Sequence, residues 1–243
     1  MPNATTHYRL PTARRPPSLS AADERGVALI IVLLAMVVLS ALGMALTLTT
    51  STETRIAGTY GSSAEAFYAV DAAFERAVRD LLLVADWDQV LAGGVTSTFS
   101  DGPVGPRVLP NGSRLDLAQA TAQVNCGKPL CSAADMDAVT VERPWGANNP
   151  QWQLYAHGNL DSLSAPGSID SRVYLIVWVA DDPLENDGQP LVDGDTSNGV
   201  NPGDGLLQLI AHAYGPAGAR RVVEATMRRA GLRVGVISWR EVR

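Results

Sequence analysis

Lysine is almost missing from this sequence: of its 19 basic residues only Lys128 is not an arginine. Such a bias reflects genome composition as much as selection, so single arginines carry little weight. Basic residues are also outnumbered by 25 acidic ones, and the net charge of -6 argues against a generic nucleic-acid binder, because neutralising phosphates needs a basic surface. Histidine occurs only as His7, His157 and His212, and cysteine only as Cys126 and Cys131. A zinc site needs two more ligands beside that cysteine pair, and the histidines offer no matching pair. Also absent are a Gly-x-Ser-x-Gly turn, a phosphate loop and a histidine metal motif. The acids crowd one glycine-rich loop instead of standing on two separate rigid elements, as sugar hydrolysis requires. Catalysis is not expected.

What the chain does have is a long apolar run. Its 243 residues suffice for one domain of ordinary size plus a segment outside the core. Between Val27 and Leu48 the only hydroxyls are those of Ser40 and Thr47. At about 1.5 Å per residue a helix of that length covers the roughly 30 Å hydrocarbon layer. Arg9, Arg14, Arg15 and Arg25 precede it against only Asp23 and Glu24, so the positive-inside rule holds residues 1–26 in the cytoplasm and sends the remainder outward, to the periplasm or the cell exterior. A conventional signal peptide has an apolar core of only about 7–15 residues. Arg14 and Arg15 do not make a good twin-arginine signal, since Pro16 and Pro17 follow and the apolar run starts well downstream.

The stretch "RGVALIIVLLAMVVL" resembles the class III signal of type IV pilins, in which a prepilin peptidase cuts on the cytoplasmic side, after the glycine, and leaves the apolar helix in place. The resemblance implies processing between Gly26 and Val27, residues 1–26 being a leader. The fifth mature position, a glutamate in most pilins, is Ile31 here. Within that family the loss goes with subunits at the fibre tip or in its initiating complex. A buried carboxylate in lipid is costly without a partner, so Ile31 suits a subunit that has none to bind; it also suits a plain membrane anchor.

Helical spacing continues beyond the run. Ile56, Tyr60, Ala64, Phe67, Val70 or Asp71, Phe74, Val78 and Leu81 recur at steps of three and four. Glu75 with Arg79 and Arg76 with Asp80 have the spacing of ion pairs worth about 0.2–0.5 kcal/mol each. Gly58 and Gly61 predict a bend or melted turn at 58–62, since each costs roughly 1 kcal/mol against alanine. "AEAFYAVDAAFERA" within residues 25–84 resembles the N-terminal signature of PilX-type minor pilins, with Asp71 in place of a glutamate. That resemblance implies that Ile31, Phe67, Tyr68 and Asp71 lie on an assembly helix, with other pilin subunits, prepilin peptidase and the inner membrane as partners.

The remainder is turn-rich up to "QWQLYAH" at 151–157, a short strand, and "SRVYLIVWVA" at 171–180, apolar on both faces as an inner strand is. "GLLQLIAHAYG" and "ARRVVEATMRR" form a hairpin through "GPAG", and "RVGVISWREV" adds a last strand. The expected fold is α+β: a long helix, membrane-spanning in its first half, against a small antiparallel sheet of about four strands. The expected divisions are a leader at 1–26, the helix at 27–92 and a β-rich globular domain at 93–243.

Residues 181–205 hold seven acids, five glycines and no Lys or Arg. Structureless loops beyond about 12–15 residues are uncommon unless functional or disordered. The spacing of Asp193, Asp195 and Ser197 opens like an EF-hand, but Gly199 falls past the sixth place and no glutamate closes the loop. Two readings stand: an irregular calcium site using Asp182, Glu185, Asp187, Asp193 and Asp195, or a solvated acidic loop. Cys126 and Cys131 read as a disulfide in an oxidising compartment. Seven arginines from Arg220 to Arg243 read as the solvated face of a half-buried strand. Taken together the sequence points to a structural minor pilin that initiates or caps a type IV pilus, with motility or adhesion as its setting. A minor pseudopilin of type II secretion and a simple single-span periplasmic protein are the alternatives.

Overall fold

The computed structural model describes residues 21–163, 169–185, 187–194 and 203–242, with side chains from Gly26 onward. The chain divides into two compact units, residues 1–55 and 56–243. The first helix, α1, covers Ala21–Leu83, 63 residues shared between them. In the first unit no charged residue occurs from Gly26 to Thr52, and every side chain from Val27 to Leu48 is exposed. The hydroxyls of Thr47, Thr49, Thr50, Thr52 and Thr54 each donate to the carbonyl four residues back, at 2.9–3.0 Å. A threonine that satisfies its own hydroxyl this way carries little polar cost into an apolar environment.

In the second unit α1 runs on through Gly58 and Gly61, so the turn at 58–62 does not melt. Neither glycine has a left-handed φ, and helix propagates cooperatively from both sides, which outweighs about 1 kcal/mol per glycine. The buried face is Ala66, Ala69, Val70, Ala73, Phe74, Ala77 and Leu81. This stripe lies partly beside the expected one: Ile56 and Tyr60 are 64% and 76% exposed, and Asp71 is exposed too. The alanines explain the shift, because a residue without side chain beyond Cβ lets helix and sheet approach closely, and a reading weighted toward large residues overlooks it. Arg76 pairs with Asp80 at 3.1 Å, whereas Glu75 and Arg79 form no ion pair among the described residues.

After a short helix α2 (Asp88–Leu91) the chain forms a two-stranded ribbon, β1 (Pro106–Val108) and β2 (Arg114–Asp116), then α3 (Leu117–Cys126) and α4 (Ala133–Met136). Asp116 caps α3 by accepting from the N–H groups of Ala118 and Gln119, and Gly127, with φ of 66°, ends it. The main sheet has five antiparallel strands in chain order, β3 (Gln153–Asn159), β4 (Tyr174–Asp181), β5 (Leu206–Tyr214), β6 (Arg220–Ala230) and β7 (Arg233–Val242). The strand at the start of the expected set thus makes a fifth member of the sheet.

Every residue of β4 is buried, as an inner strand covered on both faces requires. Its alternate residues serve two cores. Leu175, Val177 and Val179 join the α1 stripe, Trp87 and Leu91, together with Leu207, Leu209, Val223 and Met227. Tyr174, Ile176, Trp178 and Ala180 meet Leu117, Trp152 and Ile210 on the opposite face. There the Asn125 amide, 3% exposed, donates to the Trp152 carbonyl at 3.0 Å and accepts from its N–H at 2.7 Å, while Trp178 Nε1 donates to Thr121 Oγ1 at 2.8 Å. The sheet and these two layers make the fold α+β.

Candidate functional site

Three features carry chemistry: the helix surface, the acid-rich loop after β4, and a histidine cluster on the edge strand β3. On the first, Gly26 and Val27 are exposed on helix, and Ile31 is 62% exposed. Residues 1–20 of the expected leader lie outside the described residues. Phe67 is half-buried, with its ring 5.9 Å from those of both Tyr68 and Trp239, while Tyr68 is 70% exposed. Among the described residues one helix is long and apolar enough to cross a membrane, and none of its most apolar stretch is buried. That is compatible with single-pass membrane anchoring.

The second unit secures the far end of the same helix with the C-terminal arginines. Arg229 donates to the carbonyls of Val84 and Ala85 at 2.6 and 2.8 Å, and its guanidinium lies 4.0 Å from the Trp87 ring centroid. Trp87 Nε1 donates to the Leu81 carbonyl at 3.1 Å. Cations suit the negative end of a helix, so these bonds stabilise its last turn. Arg221 pairs with Glu241 and donates to Ser63 Oγ, and Arg240 pairs with Glu224 at 2.6 Å. Much of the arginine patch therefore has partners within its own sheet and helix.

In the acidic loop, Asp182 Oδ1 accepts from the Leu184 N–H at 3.1 Å, and Asp187 Oδ1 accepts from the Gln189 N–H at 2.7 Å. The Asp193 N–H donates to Asp88 Oδ1 at 2.7 Å, and Asp193 Oδ1 accepts from the Gly205 N–H at 2.9 Å. Asn148 fastens the loop from outside, donating to the carbonyls of Pro183 and Glu185 and accepting from the Gly188 N–H at 2.9 Å. Asp182 and Glu185 are 6% and 1% exposed. A Cβ on Gly203, at φ of 62°, would stand 2.5 Å from Glu185 Oε2, so only glycine fits there. Asp195 lies outside the described residues, and no group of three or more acids, histidines or cysteines among the described ones is already arranged to hold a metal ion.

Asp181, which the loop's composition does not single out, is the most unusual acid here. It ends β4 in the row of Leu175, Val177 and Val179, where alternation predicts an apolar residue. The side chain is 3% exposed and its Oδ1 has no hydrogen-bond partner among the described residues. Burial pushes its carboxyl up to about 9, with Glu185, Asp193 and Asp187 adding to the rise and the Asp182 N–H opposing it. Burial also pushes Asp193 up to about 6; the Gly205 N–H and Arg229 oppose this, and Asp204 and Asp88 reinforce it.

At the other end of the sheet, residues 97–101 run along the outer edge of β3. Ser97 N–H donates to the Tyr155 carbonyl, His157 N–H to that of Phe99, and Asp101 N–H to that of His157. His157 Nδ1 lies 2.7 Å from Asp101 Oδ1 and its Nε2 lies 3.3 Å from Ser100 Oγ. Arg107 and Tyr174 donate to the same carboxylate at 2.9 and 3.0 Å. Burial pushes the Asp101 carboxyl up, but the bonds from Arg107, Tyr174 and His157 outweigh it and hold the group below the ordinary carboxylate value. The order serine, histidine, aspartate is that of a hydrolytic triad. Ser100 Oγ, however, also donates to the Gly102 carbonyl at 3.1 Å, and a cavity of 1240 Å³ that borders Cys126, Trp152, His212 and Trp239 includes none of the three. The cluster locks the edge of the sheet. Cys126 and Cys131, with Cα atoms 5.8 Å apart, are joined by a disulfide just past α3.

No curated protein and no solved structure matches the chain. The family that does match, the PilX N-terminal family, is one of structural pilins, and its match crosses from the exposed apolar part of α1 into the part that packs on the sheet. By that match, over residues 25–75, the N-terminal segment is similar to the PilX N-terminal family, consistent with a PilX-type minor pilin.

Proposed function

We propose that the chain is a minor pilin that helps initiate or cap a type IV pilus, cut by prepilin peptidase between Gly26 and Val27. The observation that carries this reading is the continuity of α1. A helix whose apolar run from Val27 to Leu48 is exposed throughout goes on, within the matched residues, into a stripe seated on its own sheet. The exposed part needs lipid before assembly and other helices after it, since each Å² of apolar surface left in water costs about 25 cal/mol. The sheet domain, on this reading, faces the periplasm and is carried to the fibre end by packing of the helix. Ile31 leaves no carboxylate to pair with a neighbour's N-terminus, which suits a subunit at the end of a bundle.

The test is the mature N-terminus, read by mass spectrometry of the membrane fraction from cells with and without prepilin peptidase. A start at Val27 that depends on the peptidase is the expected result. A start near Leu46 would mean a conventional secreted protein, and an uncut chain a plain anchor; either would overturn the proposal. Co-purification with secretion components in place of pilus components would move the subunit to a pseudopilus tip.

A further inference from the structure

We propose that the loop after β4 binds one calcium ion, with the side chains of Asp181 and Asp187 as its anchoring ligands and Glu185 and Asp193 completing the acidic set. Asp181 is the reason. It is a carboxylate in a core row, 3% exposed, and its Oδ1 has no hydrogen-bond partner among the described residues. Asp187 Oδ2 is likewise buried and without a partner there, although its Oδ1 is engaged by the Gln189 N–H. Glu185, Asp187 and Asp193 lie close enough to Asp181 for their charges to act on it. Stacking acids around a desolvated carboxylate is unfavourable for folding alone, since burying a charge is costly unless it is paired or coordinates a metal.

The donor set is all oxygen, which selects a hard cation. Calcium takes 6–8 oxygen ligands in flexible geometry at 2.3–2.6 Å, whereas magnesium demands a small, near-octahedral shell. A loop rich in glycine supplies that flexibility, and Asn148, by holding the carbonyls of Pro183 and Glu185 and the Gly188 N–H, pins the stretch that carries Glu185 and Asp187. Among the described residues no three acids are gathered on one point, so binding draws them together. The site lies within residues 181–193 and does not depend on how the N-terminus is processed.

The experiment uses the full-length chain in detergent micelles, freed of divalent cations with a chelator and titrated with calcium chloride, then with magnesium chloride, by calorimetry. One calcium per chain is expected, with Kd on the order of 10⁻³ M or tighter, as in extracellular calcium modules. The unfolding midpoint should rise roughly 5–10 °C at about a hundredfold excess over Kd. Asp181→Asn and Asp187→Asn should each weaken binding at least tenfold, while Asp161→Asn, in the short turn Leu160–Leu163 that follows β3, binds as the parent does. Asp187 is only half-buried, so its variant decides the matter if Asp181→Asn does not fold. Absence of calcium heat at 10 mM (about ten times the weakest expected Kd) would overturn the site. So would parental affinity in both variants, and magnesium binding as tight as calcium would overturn the assignment to calcium.

Discussion

The two stretches of α1 are built to opposite rules. From Val27 to Leu48 the surface is mostly leucine, isoleucine, valine and methionine, and all of it is exposed, Leu39 by 68% and Met44 by 69%. From Ala66 to Leu81 the inward face is mostly alanine, with Ala66, Ala69 and Leu81 wholly buried. The stretch that its own sheet covers uses small side chains, so that backbone can approach backbone. The stretch with large side chains is covered by nothing among the described residues of its own unit. The size of a residue therefore reports where its partner comes from: from this chain in one stretch and, on the proposed reading, from lipid or other subunits in the other.

The sharpest way to break that comparison is to truncate one large residue in each stretch. Phe74→Ala removes a ring that is 6% exposed in the main core and should cost about 3–5 kcal/mol of stability. Leu34→Ala removes a side chain that is 61% exposed and should leave the unfolding midpoint of the sheet domain where it was. Thermal unfolding followed by near-ultraviolet circular dichroism reads both, and an equal drop would mean that the first stretch is also packed within the folded chain. A charge gives the reverse contrast. Val38→Asp, near the middle of the apolar run, should disfavour membrane insertion by about 2.5–3.5 kcal/mol, moving protein out of the membrane fraction, yet leave the domain's near-ultraviolet spectrum unchanged. Undiminished membrane recovery would count against α1 as the anchor.

Much of this was legible beforehand, for identifiable reasons. The apolar run, the inner strand β4 and the hairpin of β5 with β6 are periodic or uniformly apolar over many residues, so pattern alone finds them. Of the buried stripe, spacing finds Val70, Phe74 and Leu81 but none of Ala66, Ala69, Ala73 and Ala77, because alanine carries little weight in any hydrophobic pattern although geometry makes it the contact residue. Residues 106–136, with β1, β2, α3 and α4, were not placed: their elements are three to ten residues long and are fixed by caps such as Asp116 and by the Asn125–Trp152 bonds across the chain. In the acidic loop the composition drew attention to five acids, yet Asp181, the residue the fold buries, is marked only by its parity within β4. That signal becomes visible once the strand's inward row is known.

Parity also separates two neighbours on β5, and this offers the finest test of the two-layer arrangement. Ala211 is buried in the core beneath α1, whereas His212, 7% exposed, faces the second layer, with its ring 4.8 Å from that of Trp178 and its Nδ1 3.1 Å from Tyr214 Oη. Burial, reinforced by the charge of Arg220, lowers the His212 pKa from 6.5 to about 3. The sign follows from which state holds the proton. Between pH 6.5 and about 3 the unfolded chain binds a proton that the folded chain refuses, so acidification through that window favours unfolding. Asp181 and Asp193 act oppositely, since their raised values make the folded chain the better proton binder. The wild-type profile alone is therefore a sum of opposed slopes, and the informative quantity is the difference between the parent and His212→Gln. That difference should be small at pH 8 and move in the variant's favour as pH falls from about 6.5 to 4.5, where ordinary carboxylates remain largely ionised. Unfolding midpoints in a graded buffer series measure it. Parallel profiles for the two proteins would mean that His212 takes up its proton in the folded state, and that the second layer admits water to the face of β5.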